Sequence, residues 1–265
     1  MDKSLKFCLS FLGLLIYSTS LAQVNCTIFI NDQCKESCEK SNFAEKIQWT
    51  QYAQELFDEA IKECPTNDFA FKEKAVPYLK SGDFVTWKAL IDKAVELDPK
   101  KNLGYRGWCK FQFLRDYEGT IQDLELLKKY YPKDLGRSQN GDYNLSLVKA
   151  MSYSALGQKE KAIETIETLF KTENYFKGLY DYYQLGVTYF EIGKYDKALE
   201  NFEKQSKEYD FAENIYFRSK ISKIRNKDYL DLKKLALKAY DEGKIMKDDY
   251  THQFNKVYRK QMDEL

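Results

Sequence analysis

The segment YYQLGVTYFEIGKYDKALENF, residues 182–202, contains the clearest structural pattern in the sequence. Its second half places apolar side chains three or four residues apart, a spacing typical of one face of an α-helix. These side chains are Tyr195, Ala198, Leu199 and Phe202. Gly193 lies between the two halves, and glycine readily adopts the left-handed conformation that ends a helix. The stretch therefore predicts two short helices joined by a tight turn.

The same pattern recurs along the chain. Four other segments combine a polar turn with an apolar helical stripe: residues 80–99, 114–132, 155–170 and 225–239. Measured at Phe84, Tyr117, Lys159, Tyr195 and Tyr229, the intervals between repeats are 33, 42, 36 and 34 residues. Lys159 is the one departure from an aromatic residue at this position. Because a single helix pair cannot bury its own stripe, such units are expected to stack into a superhelix.

This repeat resembles the tetratricopeptide repeat (TPR). The resemblance extends over about residues 50–243 and is best in residues 182–202. There the signature positions are Tyr182, Leu185, Gly186, Tyr189, Gly193, Tyr195, Ala198 and Phe202. Pro99 and Pro132 stand where the family has a proline after the second helix, whereas Trp87 and Lys220 replace the usual small residues. The resemblance implies an all-α superhelix, a TPR solenoid, of about five helix pairs with extra N- and C-terminal helices.

The first residues, MDKSLKFCLSFLGLLIYSTSLAQ, have the features of a secretory signal peptide. Two lysines precede an apolar run that is too short to span a membrane, and small residues follow it. We expect cleavage after Ala22, so that residues 1–22 are removed. The protein is therefore predicted to be exported, either periplasmic or secreted, and to have no integral membrane span.

The remainder divides into three parts. Residues 23–48 form a cysteine-containing N-terminal segment, residues 49–245 the TPR array, and residues 246–265 a polar C-terminal capping helix. Residues 49–65 match the second helix of a repeat, and residues 33–46 are expected to supply its first helix. The long interval of 42 residues is explained by a loop over residues 132–144, either irregular padding or a loop shaped for contact.

Four cysteines cluster near the N-terminus. Cys26, Cys34, Cys38 and Cys64 are disulfide candidates, because an exported protein meets an oxidising environment. One or two bridges are expected, and the pairing is open. The alternative is a metal site, which we do not expect because there is no CxxC motif and no nearby histidine. Cys109 is expected to be a buried packing residue.

Charge and motif content argue against several functions. The whole chain has a net charge of +1, and the evenly mixed charges give no basic patch for nucleic acid. The motifs GxSxG, HExxH, GxGxxG and the P-loop are absent from the sequence. The single histidine, His252, is expected to lie several repeats away from Cys109, which leaves that thiol without a base. We therefore expect neither enzyme activity nor a cofactor.

The resemblance implies that another protein binds in the groove lined by the first helix of each repeat. Groove candidates, placed by the family's register, are Phe69, Lys72, Val76, Leu79, Lys80, Arg106, Phe113, Tyr180, Tyr183, Val187, Phe190, Asn214, Phe217 and Ile221. Arg106 and Phe113 are expected to be free to touch a partner, so that replacing either leaves the fold intact. An alternative is a small ligand or glycan stacked on groove aromatics such as Tyr180 and Tyr183.

Overall fold

The computed structural model describes residues 24–28, 31–248 and 251–265. The predicted signal peptide, residues 1–22, lies outside these residues. The described chain contains thirteen α-helices and no β-strand, which confirms the all-α solenoid. The helices are α1 (Asp32–Lys46), α2 (Gln51–Glu63), α3 (Asp68–Ser81), α4 (Phe84–Leu97), α5 (Pro99–Cys109), α6 (Tyr117–Lys128), α7 (Leu145–Ala155), α8 (Lys159–Phe170), α9 (Asp181–Glu191), α10 (Tyr195–Glu208), α11 (Ala212–Ile224), α12 (Leu230–Asp241) and α13 (Arg259–Asp263).

The helices pack as six consecutive pairs, from α1–α2 to α11–α12, within the described residues. The sequence predicted about five pairs, and α1 with α2 forms the additional one. Within the pair α9–α10, the close contact between the two helices requires a small residue on α9. A Cβ atom added to Gly186 would lie 2.6 Å from the ring of Phe202, so only glycine fits there. Gly193 has a φ of 72°, which the turn between α9 and α10 requires.

Two disulfides hold the N-terminal pair together. Cys26 is bonded to Cys38, and Cys34 is bonded to Cys64 at the end of α2. α1 is polar and buries little apolar surface, so the crosslinks and the hydrogen bond from the Ser37 hydroxyl to the Ala60 carbonyl (2.7 Å) hold it in place. In the chain-entropy model, bridges over loops of this length each contribute about 3 kcal/mol.

A π-helical turn, Lys110–Leu114, continues α5. Gly107 packs against Leu124 of α6 as Gly186 packs against Phe202 of α10. Gly107 lies eight residues before the left-handed residue Arg115 (φ 56°), whereas Gly186 lies seven residues before Gly193. The π turn therefore accommodates one extra residue, and the side chains after it are rotated relative to the other repeats.

The C-terminus is not the long capping helix predicted for residues 246–265. Only α13 is helical, and the residues before it cross the surface made by the first helices of the pairs, which we call the groove face. We refer to residues 244–248 and 251–258 as the tail segment. The carbonyl groups of His252, Phe254 and Asn255 accept hydrogen bonds from side chains of α9 and of the turn after α5, so these residues need no helical hydrogen bonds. No helix of the described residues is long and apolar enough to cross a membrane.

Candidate functional site

The tail segment occupies the C-terminal half of the groove face, along α9 and α11. The Tyr183 hydroxyl donates a hydrogen bond to the Asn255 carbonyl (2.6 Å), and the Gln184 amide donates to the Phe254 carbonyl (3.2 Å). The Asn255 amide donates back to Gln184 Oε1 (2.8 Å), and Arg115 donates to the His252 carbonyl. The groove face thus binds an irregular stretch of its own chain through the main chain of that stretch.

Two side chains anchor the tail segment. The Phe254 ring packs against the rings of Phe111 and Tyr117, with centroids 5.6 and 6.2 Å away. Lys256 forms an ion pair with Glu213 of α11 (2.7 Å), whose side chain is fully buried. Burial raises the pKa of Glu213, while the Lys256 ammonium opposes that rise by favouring the ionised carboxylate.

The predicted groove residues of α9 and α11 are covered by this arrangement. Tyr180, Tyr183, Val187, Asn214, Phe217 and Ile221 are buried, and Phe190 is half-buried. Their aromatic rings pack on one another: Phe217 contacts the rings of Tyr183, Phe190 and Phe202. The structure therefore places these side chains within the core or beneath the tail segment, where a partner does not reach them. Large aromatics between short helices fill the space to the next pair.

Arg106 is also engaged within the fold, contrary to the expectation that it is free to touch a partner. Its guanidinium donates two hydrogen bonds to Asp123 of α6 (2.9 and 2.6 Å) and one to Asp92 of α4 (2.9 Å). Lys110 pairs with the same Asp123 carboxylate (2.9 Å), which is 2% exposed. Arg106 thus braces three helices against one another.

The N-terminal half of the groove face is open. A cavity of about 690 Å³ lies between α3, α5 and the π turn, and the predicted residues Phe69, Lys72, Val76, Leu79, Lys80 and Phe113 line it together. Val24, Asn25 and Ile28 border it at the N-terminal side, and Gln139 and Asn140 of the 132–144 loop contribute to its wall. The structure therefore brings six of the predicted groove residues into one site.

The cavity combines apolar walls with two lysine ammonium groups. Lys72 lies over the Tyr105 ring (5.2 Å) and pairs with Glu73 (3.1 Å), and Lys80 lies over the Phe113 ring (4.5 Å). Burial lowers the pKa of Lys80. Such contacts keep the ammonium groups beside aromatic faces, so that a ligand meets a mixed surface.

The cavity residues that the sequence did not predict include Tyr105, Trp108 and Gln112. Gln112 lies in the π turn and is 2% exposed. Its Nε2 donates to the Thr251 hydroxyl of the tail segment, and its Oε1 has no hydrogen-bond partner among the described residues. The extra residue between Gly107 and Arg115 is the only sequence signal for it, because that insertion changes which side chains face the cavity.

Cys109 is not activated as a nucleophile. Cys109 is a free thiol, 1% exposed, and burial raises its pKa to about 12, so that the thiol stays neutral. The tail segment brings the His252 backbone back to Arg115, closer to α5 than the sequence suggested, but the His252 ring is exposed and packs against Tyr258 (5.7 Å). The described residues contain no group of three or more His, Cys, Asp or Glu that could hold a metal ion.

Comparison with known proteins identifies the repeats. The tetratricopeptide repeat model matches residues 143–174 and 182–207, which include α7 to α9 and most of α10. A search of curated proteins found no match. The two matched segments are therefore tetratricopeptide repeats, and the solved structures below share the fold of the described chain.

Three solved structures have the same fold. PilW, described as a widely conserved type IV pilus biogenesis factor, is 17% identical, with 78% of this chain and 94% of that chain covered and a TM-score of 0.60. A tetratricopeptide repeat protein from Parabacteroides merdae is 16% identical, with 88% and 82% covered and a TM-score of 0.53. YrrB, described as a TPR protein with an unusual peptide-binding site, is 16% identical, with 62% and 80% covered and a TM-score of 0.50. At these identities the likeness shows the fold alone.

Proposed function

We propose that this TPR protein is a non-enzymatic scaffold of the cell envelope or secreted space, and that a partner protein inserts a segment into the open half of its groove face. TPR repeats are protein-interaction modules, and YrrB, which shares the fold, is described as having a peptide-binding site. The observation that carries the proposal is the division of the groove face, with one half filled by the tail segment and the other an open cavity.

The cavity has the size and lining of a binding site. Its volume of about 690 Å³ falls within the range of roughly 300–1,000 Å³ usual for ligand pockets. Phe69, Val76 and Phe113 supply apolar surface, and the lysines beside them supply polar contacts at fixed positions. This combination suits a short peptide segment that buries an apolar side chain.

The tail segment supports an extended segment as the ligand. Tyr183 and Gln184 bind its carbonyl groups, and neither bond depends on which side chains the bound residues carry. An exogenous segment in the open half would lie in line with the tail segment on the same face. The glycan alternative has less support, because Tyr180 and Tyr183 are 6% and 0% exposed and their ring faces are covered.

Site-specific photo-crosslinking tests the site. A benzophenone amino acid at position 76 would stand in the cavity, and the same residue at Val85, which is 84% exposed on α4, is the control. We expect a partner to be crosslinked in intact cells from position 76 and not from position 85. Equal labelling from both positions, or none from position 76, would contradict the proposed site.

Export has a separate test. The predicted signal peptide and the two disulfides both favour an oxidising compartment. Protein taken from cells under acid quench should have Cys26, Cys34, Cys38 and Cys64 protected from alkylation until a reductant is added. Alkylation of all four before reduction would place the chain in a reducing compartment.

A further inference from the structure

The π turn of α5 lies where the open and the occupied halves of the groove face meet. Gln112 of this turn lines the cavity and donates from Nε2 to Thr251 of the tail segment. Asp248, also in the tail segment, lines the same cavity. The tail segment therefore reaches the border of the cavity in its middle, at residues 248 and 251, and then returns along α9.

Only one of the two polar atoms of the Gln112 amide has a hydrogen-bond partner. With Nε2 bonded to Thr251, the Oε1 atom has no partner among the described residues, although the side chain is 2% exposed. A buried amide oxygen without a donor costs about 1–3 kcal/mol, and such groups call for an explanation. Single π turns inside α-helices occur frequently at functional sites, which is consistent with a binding role here.

We propose that Gln112 binds the main chain of the partner: its Oε1 accepts a hydrogen bond from one backbone N–H of an extended segment that lies in the cavity, next to the part of the tail segment around Thr251. This inference rests on the proposed function and specifies the partner's chemistry. A main-chain ligand is favoured because the groove face already binds an adjacent main chain through Gln184 and Tyr183.

The geometry sets a sequence rule for the partner segment. The residue whose N–H meets Gln112 is not proline, because proline has no N–H. Side chains of an extended segment alternate between two sides. One side chain of the partner, next to the bound N–H, therefore faces the apolar wall formed by Val76, Trp108 and Phe113. We expect that partner residue to be aliphatic or aromatic.

The test uses peptides selected from a displayed random heptapeptide library against the chain that starts at Gln23. A selected peptide is then synthesised with each backbone nitrogen methylated in turn, and its affinity is measured by calorimetry. Gln112→Met removes both amide groups at similar volume. Thr251→Val is the matched control, because it removes the hydroxyl that accepts from Nε2 and retains the Gln112 amide itself.

We expect Gln112→Met to weaken the unmodified peptide about three- to tenfold, the range for one hydrogen bond, and Thr251→Val to change affinity less than about twofold. One methylated nitrogen should weaken binding to the wild type and to Thr251→Val, but not further to Gln112→Met.

Two results would overturn the inference. Methylation effects that are the same in wild type and Gln112→Met would show that no peptide N–H meets Gln112, and equal losses in Thr251→Val would show that Gln112 acts through the tail segment. The proposed function fails separately, if no peptide is selected or if Val76→Trp, which fills the cavity, leaves affinity unchanged.

Discussion

Lys256 joins the tail segment to α11, and its replacement by Met tests whether that segment belongs to the groove face. The Lys256 ammonium is the cation beside the fully buried Glu213, and it also donates to the Met246 carbonyl. Lys256→Met keeps the aliphatic stem and removes the charge. Glu213 would then keep the Met246 N–H, which lies 3.2 and 3.3 Å from its two carboxylate oxygens, as a donor.

The expected loss of stability is large for a substitution near a chain end. Removing one partner of a buried ion pair costs about 3–5 kcal/mol, because an uncompensated charge stays buried. Here the tail segment can detach and expose Glu213 to water, so the loss is limited to the free energy that holds the segment. We therefore expect about 3 kcal/mol at pH 7, the low end of that range.

The loss should depend on pH with a defined sign. The pKa of Glu213 is raised above the ordinary value of 4.5 by burial, and removal of Lys256 raises it further. A carboxyl group with a raised pKa in the folded state favours folding below 4.5, and this contribution is lost as pH rises through the folded-state pKa. The difference between Lys256→Met and the wild type should therefore shrink as the pH falls toward 4.5.

Hydrogen exchange resolved by mass spectrometry is the assay, because stacked repeats need not unfold in a single step. In Lys256→Met we expect the amides of residues 251–258 to exchange about a hundredfold faster than in the wild type. This ratio corresponds to a decrease of about 3 kcal/mol in the free energy of opening the tail segment. The control is Lys260→Met on α13, whose side chain is 86% exposed and whose ion pair with Glu264 spans 3.8 Å. If both variants exchange alike, the tail segment is not held by this ion pair and the reasoning is wrong.

Two further variants and one alkylation measurement test the side-chain packing between the helices. Arg106→Met leaves the buried Asp123 with Lys110 alone, and we expect unfolding to require about 1–3 kcal/mol less, measured by denaturant titration. Gly186→Ala places a Cβ atom against the Phe202 ring and should cost about 1–3 kcal/mol in the same titration, and an unchanged midpoint would contradict the helix contact. The buried Cys109 thiol, with a pKa of about 12, should resist alkylation at pH 8 in the native protein and react once in denaturant.

The repeat architecture could be predicted because it depends on local, periodic features. The apolar stripe from Tyr195 to Phe202 and the turn glycine Gly193 predict a helix pair. The recurrence of this pattern along the chain predicts that the pairs stack. The six predicted residues around the cavity lie on α3 and in the π turn, where the family's register placed them closely enough.

The features that the sequence analysis did not predict depend on contacts between residues far apart in sequence, and hydrophobic periodicity does not indicate such contacts. Arg106 looks like a surface residue until Asp123 is placed opposite it by the α5–α6 packing. The tail segment has a polar sequence that suits a solvated helix, and its path is determined by Tyr183, Gln184 and Glu213, which lie far away in sequence. The extra residue in the π turn can be recognised in the sequence only after the structure has shown that Gly107 and Gly186 occupy equivalent positions.

We expect a partner segment to bind the open half of the groove face while the tail segment stays in place. Hydrogen exchange of the chain with and without a selected peptide tests it most directly. We predict slower exchange in α3, α5 and the π turn, with residues 251–258 unchanged. Slower exchange confined to α9 and α11, together with faster exchange of residues 251–258, would show that the ligand replaces the tail segment and would contradict the account.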